Sequence, residues 1–319
     1  MATQEDQLRQ ILSQSLSPDK PTRQNAERAL LTAQSAPGHA LAVLRVVSGA
    51  QSGNAVSADL PVRQAAAVHF KNMVKGGWAP NDEDGDGGGG RGAKYVIPES
   101  DRSLIKDNLV SLMCTVPPQL QSQCSESIAI IASSDFPAKW DNLLGDLMSK
   151  FGDPDWSVVN GVLLTANSIL KRFRYVQRSD ALYADILYVL QRLQEPLTRL
   201  FVSITSSLDG AEVAGDVAGL AARLAALRSI NGIFYSLNYQ DLPEFFEDHM
   251  GEWMAGFAKL LQYTNPILVD EDEEMQPGEL LGDSFRFLLL SWLVRVLGEM
   301  FFRNAFCDQL TPRSEVARH

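Results

Sequence analysis

An all-α chain of paired helices is what this sequence predicts, and three observations predict it. Apolar residues recur at intervals of three and four through most of the 319 residues, which is the period of one helix face. No run alternates apolar and polar residues for long enough to make a strand. Short turns marked by proline and aspartate cut the chain near Pro21, Pro61, Pro118 and Pro154, suggesting repeated units of about 40 residues.

The elements follow in order. Asp19-Lys20-Pro21 opens a helix with a capping side chain and a first-turn proline. Asp59-Leu60-Pro61 repeats the device, and Val62, Ala65, Ala66, His69, Phe70 and Met73 then share one face. Ser100 is expected to cap the next helix, with Leu104, Ile105, Leu109, Leu112 and Met113 inward. Val116-Pro117-Pro118 ends that helix and starts another, carrying Leu120, Cys124, Ile128 and Ile131. After Asp135-Phe136-Pro137, the residues Trp140, Leu143, Leu144, Leu147, Met148 and Phe151 keep the helical period without a miss. Gly152-Asp153-Pro154 stops it. Further helices are expected over 156–175, 182–206, 213–237 and 242–263, with Pro196 kinking or splitting the second of these.

Pairs of this kind expose too much apolar surface to stand alone. Stacked on one another they bury it, which predicts a solenoid of HEAT or armadillo type with a face available to a protein partner. The interval from Pro61 to Pro118 is too long for one unit. The excess is a glycine- and aspartate-rich insertion around residues 80–93, expected to be a flexible loop.

Composition narrows the function. A net charge of −11 with pI near 4.9 argues against nucleic acid as a partner, because phosphate binding needs a basic surface. The N-terminal MATQEDQLRQIL has no secretory signal pattern. Cys114, Cys124 and Cys307 have no metal spacing and are expected as reduced thiols. Residues 285–302 are apolar but broken by Ser291, Arg295 and Glu299, so no membrane span is expected.

Candidate chemistry is thin. Gly85, Gly87 and Gly90 match G-x-G-x-x-G, but no strand precedes them. Asp82, Asp84, Asp86 and Gly87 fit the first half of an EF-hand loop. Position 12 holds Ala93 instead of the bidentate Glu, and Gly89 stands at an apolar position. The four histidines His39, His69, His249 and His319 show no metal spacing, and His69 is expected as a hydrogen-bonded core residue. The acidic run from Asp270 to Glu274 reads as a solvated loop. Lys171, Arg172 and Arg174 read as cations offsetting the carbonyls at a helix C-terminus. No catalytic, cofactor or metal site is expected, and the chain is read as a binding protein, not an enzyme.

Several blocks resemble a known family. Ser17-Pro18-Asp19 with Arg23, Ala26, Glu27 and Leu30, and the run from Val62 to Asn72 followed by Trp78, are similar to the first repeats of importin-β receptors. Asp135-Phe136-Pro137-Ala138-Lys139-Trp140, the run from Val159 to Ala166 with Lys171-Arg172-Phe173-Arg174, and residues 234–248 (FYSLNYQDLPEFFED) resemble the CAS-type exportin branch. The resemblance implies a right-handed α-solenoid of HEAT repeats, here the N-terminal arch. Residues 1–80 would hold repeats 1–2, 81–98 the insertion, 99–275 repeats 3–6, and 276–319 a divergent tail. It implies Ran-GTP and importin-α as partners, the latter needing further C-terminal repeats, with nucleoporins as additional contacts. It also implies shuttling between nucleus and cytoplasm with transient residence at the nuclear envelope. The Ran-contacting helices would be 20–33, 60–75 and 118–132, with Arg23, Arg63, Lys71, Asn72, Gln123 and Glu126 as exposed contact candidates. Full receptors of this kind are longer, so the sequence suggests a truncated or mis-spliced product with an out-of-frame tail. The alternative is a HEAT scaffold for another assembly, phosphatase or cytoskeletal.

Overall fold

The computed structural model describes residues 4–49, 60–79, 95–210, 216–240 and 243–263. The glycine-rich insertion, the acidic run at 270–274, Cys307 and the apolar stretch 285–302 lie outside them. The chain divides into two compact units, Met1–Arg172 with Ser179–Leu193, and Phe173–Arg178 with Gln194–His319. Among the described residues every regular element is a helix.

The first unit contains α1 (Gln4–Ser15), α2 (Lys20–Ala33), α3 (His39–Ser48), α4 (Leu60–Gly77), α5 (Glu99–Thr115), α6 (Pro118–Asp135), α7 (Leu143–Met148), α8 (Trp156–Leu170) and the start of α9 (Asp180–Ser207). Successive helices pack as pairs: α1 with α2, α3 with α4, α5 with α6, and α7 with α8. The pairs stack in two layers. The first helices form one, α1–α3–α5–α7, and the second helices α4–α6–α8 form the other. Stacking is driven by burial of Val43, Val47, Phe70, Met73, Ile105, Leu109, Leu120, Ile128, Val162 and Leu163, all fully or nearly fully buried. Each such side chain contributes about 1.5–3 kcal/mol.

Local chemistry fixes the helix ends. Asp19 caps α2, accepting from the Thr22 amide at 3.0 Å and its hydroxyl at 2.6 Å. These bonds hold its carboxyl below the usual carboxylate range. Asp155 caps α8 through the Ser157 amide. Gly38 precedes α3 at φ +79°, a conformation suited to glycine. Its amide donates to the buried Asp101 carboxylate of α5 at 2.8 Å, joining neighbouring pairs. Ser100 does not cap α5, which begins at Glu99 after Pro98. Its hydroxyl turns to Asp101, and Asp101 is engaged at Gly38. Leu104 is 48% exposed and not inward.

The stretch after Pro137 departs most from expectation. Only α7, six residues long, is α-helical there. Phe136 is extended, as a residue before proline prefers, and Trp140 is buried from a turn. The apolar residues keep helical spacing because the turns face them to the same core. Pro196 does not split α9, which runs unbroken over 28 residues. The buried Leu193 and Leu197 flank the proline.

The second unit holds the rest of α9, with α10 (Val217–Leu237), α11 (Glu244–Asp248) and α12 (Met250–Gln262). The span expected as one helix from 242 breaks at His249, which stacks on Phe245 at 4.0 Å. The core is aromatic. Trp253 stacks on Phe201 at 4.2 Å and on Phe234 at 4.0 Å, with Phe246 and Phe257 against them. The Trp253 indole donates to Thr198 Oγ1 at 3.2 Å. Gly256 lets α12 approach Phe201, since a Cβ there would meet the ring. By length and composition α10 could cross a membrane, but its Leu220, Leu227, Ile230 and Phe234 are buried in this core.

Candidate partner face on the second helix layer

The second-layer helices present a polar stripe to solvent. On α4 it comprises Gln64, Asn72 and Lys75, all exposed and spaced to lie on one face, with the apolar Val68 exposed between them. On α6 it comprises Gln119, Ser122, Glu126 and Ser133. The two helices pack directly, and Lys71 Nζ of α4 pairs with Glu126 Oε2 of α6 at 3.0 Å across the seam. Glu126 is more than half exposed and Lys71 one-fifth exposed. Asn72 lies beside Lys71 with its side chain in water. Gln123 is half-buried one turn before Glu126, and its Oε1 has no hydrogen-bond partner. Of the six residues singled out in the sequence, Lys71 and Glu126 therefore meet at the α4–α6 seam, and Asn72 and Gln123 lie on the same two helices.

The other two are placed differently. Arg63 is 3% exposed. Its Nε donates to the Val47 carbonyl at 2.9 Å, and its guanidinium also reaches the Ser48 carbonyl. It caps α3, so the expectation of an exposed contact residue is corrected: the helix end needs donors for its last carbonyls. Arg23 is half-buried at the first turn of α2 and donates to the Ser17 carbonyl at 3.1 Å. Gln64, Val68 and Lys75, not singled out in the sequence, are exposed at helical spacing from Asn72.

Other blocks turn out to hold helices together. Asp135 pairs with Lys106 of α5 at 3.3 Å, and that ammonium also donates to the Lys139 carbonyl at 2.8 Å. Arg172 donates to the Ala132 and Phe136 carbonyls at the end of α6 and pairs with Asp185. The basic cluster thus satisfies carbonyls of other helices, not those of its own. Thr165 of α8 donates to the Gly161 carbonyl and lies 2.8 Å from Ser125 Oγ of α6. In the second unit Arg174 donates to the Gly232 carbonyl and Ser236 Oγ. The buried Gln240 donates to the Phe173 carbonyl at 2.8 Å while Arg178 grips its amide oxygen and its own carbonyl.

Residues 95–97 bond to the end of α4. Tyr95 Oη donates to the Met73 carbonyl at 2.6 Å, and the Ile97 amide to Gly77 at 3.0 Å. Burial pushes the Tyr95 phenol up to about 12 and the Cys124 thiol to about 12. Cys114 and Cys124 are both free. His69 does not have the expected hydrogen bond at Nε2. It meets His39 edge-on at 5.8 Å, and desolvation with that neighbour lowers its pKa to about 4. Desolvation likewise lowers His39, with Asp101 opposing.

Stacked helix pairs with a solvent-facing second layer define a HEAT-repeat class of binding protein, and comparison with known proteins agrees. The Importin-beta N-terminal domain model matches residues 26–115 and the Cse1 model residues 169–283. Exportin-2 of Pagrus major is 38% identical over 267 residues, 84% of this chain and 26% of that protein. Exportin-2 of Homo sapiens gives the same values. The solved exportin Cse1 in its cargo-free, cytoplasmic state superposes with a TM-score of 0.76 at 33% identity, over 90% of this chain and 29% of that one. The chain is a counterpart of the N-terminal portion of the CAS-type exportins in the importin-β superfamily. It spans about a quarter of the length of the curated relatives it matches.

Proposed function

We propose that this chain is the Ran-GTP-binding N-terminal part of a nuclear export receptor for importin-α. One observation carries the reading. In a chain 38% identical to exportin-2 over 267 residues, α4 and α6 turn exposed polar residues to solvent around the Lys71–Glu126 pair. Residues 1–80 supply repeats 1–2 and 99–275 repeats 3–6, with 81–98 inserted and 276–319 a divergent tail. Ran-GTP contacts Lys71, Asn72, Gln123 and Glu126, with Arg23 at the margin and Arg63 acting only through α3. Binding is the whole of its chemistry, with no catalytic step of its own. Discrimination between Ran-GTP and Ran-GDP rests on switch loops ordered differently in the two states. Importin-α binding needs repeats beyond those present here, and nucleoporins are contacted during passage. The receptor shuttles between nucleus and cytoplasm through the nuclear envelope.

Titration of the 319-residue chain with Ran loaded with a GTP analogue or with GDP tests this. Binding selective for the GTP form is expected. Lys71→Glu combined with Glu126→Lys keeps the pair but reverses its polarity, so a partner reading these charges loses affinity while helix content is unchanged. Equal affinity for both nucleotide states would sink the proposal.

A further inference from the structure

Only two of the 15 prolines follow a serine or threonine, Pro18 and Pro312, and only the first is followed by a cation at the third position from the hydroxyl residue: Ser17-Pro18-Asp19-Lys20. That tetrapeptide is the turn between α1 and α2. Ser17 has no regular structure and is half-buried, and Pro18, Asp19 and Lys20 are exposed. Proline restricts the residue before it to extended backbone, the form in which kinases that require Ser-Pro hold their substrates. The Ser17 hydroxyl is constrained only by accepting the Asp19 amide at 3.2 Å, in a solvent-exposed bond. One turn into α2, the Arg23 guanidinium already lies against the Ser17 carbonyl at 3.1 Å.

We propose that Ser17 is a phosphoacceptor for a proline-directed, base-requiring serine/threonine kinase, and that the phosphate is held by Arg23. Ser17 Oγ attacks the γ-phosphorus of ATP. The new O–P bond forms as the bond to the β,γ-bridging oxygen breaks, ADP leaves, and the hydroxyl proton passes to the kinase's base. The product carries about −1.5 to −2 charge and three acceptor oxygens. Arg23 offers the fork geometry that phosphate takes up bidentately, and Lys20 adds a second cation. The opposing charge is the Asp19 carboxylate, which is engaged by Thr22 on its own helix. Resting on the functional reading above, the modification then engages Arg23 at the margin of the partner face and adds an anion beside it. It switches affinity without reshaping a helix.

The test uses the whole chain, ATP and a purified proline-directed kinase, with phosphate mapped by mass spectrometry. Label at Ser17, none in Ser17→Ala and much less in Pro18→Ala is expected. Label on a peptide of residues 13–24 but not on the folded chain would overturn the site. Phosphorus NMR then reads the phosphate directly: its second ionisation should fall at lower pH in the parent than in Arg23→Ala, and identical titrations would overturn the Arg23 contact. Phosphorylation should weaken Ran-GTP binding several-fold. Unchanged affinity in a chain that binds normally beforehand overturns the switch. Failure of the unmodified chain to bind Ran-GTP instead counts against the functional reading, with labelling and phosphorus titration still deciding the site.

Discussion

The first unit ties neighbouring helices chiefly at their ends, and the second adds an aromatic interlock to cation–carbonyl ties of the same kind from Arg174 and Arg178. In the first, the core is mostly aliphatic and the specific contacts are long cations reaching foreign carbonyls: Arg63 at α3, Arg172 and Lys106 at and just past the end of α6. In the second, five aromatic rings interlock between α9, α10, α11 and α12. Among the described residues, end-tying leaves Gln64, Asn72 and Lys75 of α4 and Glu126 of α6 exposed. Ring interlocking uses the faces themselves and makes a rigid block. The same helix-pair plan therefore carries an exposed side-chain stripe in one unit and an aromatic core in the other.

The contrast can be broken most sharply in the aromatic block. Trp253→Ala removes a fully buried side chain stacked on two rings, and a loss of about 4 kcal/mol is expected. Urea unfolding should show the lower midpoint, with hydrogen exchange accelerated in α12 and unchanged in α4. In the first unit, Asp135→Ala removes the counter-charge of the Lys106 ammonium, which is 16% exposed and keeps its bond to the Lys139 carbonyl. About 3 kcal/mol is expected to be lost, and Asp135→Ala combined with Lys106→Met should recover much of it.

The histidine pair sharpens the comparison by pH. His69 is held at about 4 in the folded state against 6.5 when free. A base with a depressed folded pKa loses nothing above pH 6.5. As pH falls from 6.5 towards 4, the unfolded chain takes up protons that the folded one refuses. About 2 kcal/mol should be lost between pH 7 and 4.5, with exchange faster in α3 and α4, and His69→Gln should flatten that slope. The smallest effect is at the surface. Glu5→Ala breaks the pair with Arg45, whose side chain is 65% exposed, and should change the unfolding free energy read from urea denaturation by less than about 0.5 kcal/mol.

How far the sequence foretold this follows from what each signal depends on. Caps such as Asp19 and the starts of α4, α6 and α8 were legible because the residues that fix them are adjacent in the chain. Where turns mimic helical spacing, as between Pro137 and Leu143, periodicity misreports the local structure, since it records only which residues face the core. Arg63 was misread because charge suggests exposure, and the carbonyls it serves belong to a helix 15 residues earlier. His39 and His69 lie 30 residues apart, so only the packing of α3 on α4 brings them together. On the candidate face, Lys71 and Glu126 were chosen separately, and the seam that joins them is visible only once α4 and α6 are packed.

The corner at Gln240 sets unequal freedoms on the two strands of chain it joins. Its amide reads the Phe173 carbonyl, a group every amino acid carries, and the neighbouring Tyr175, Val176 and Gln177 side chains point into water. Those three positions can drift in identity, or take up contacts with other molecules, at little cost to the fold. Position 240 has no such latitude: an acidic replacement could still accept from Arg178 but would leave the Phe173 and Val176 carbonyls without their shared donor.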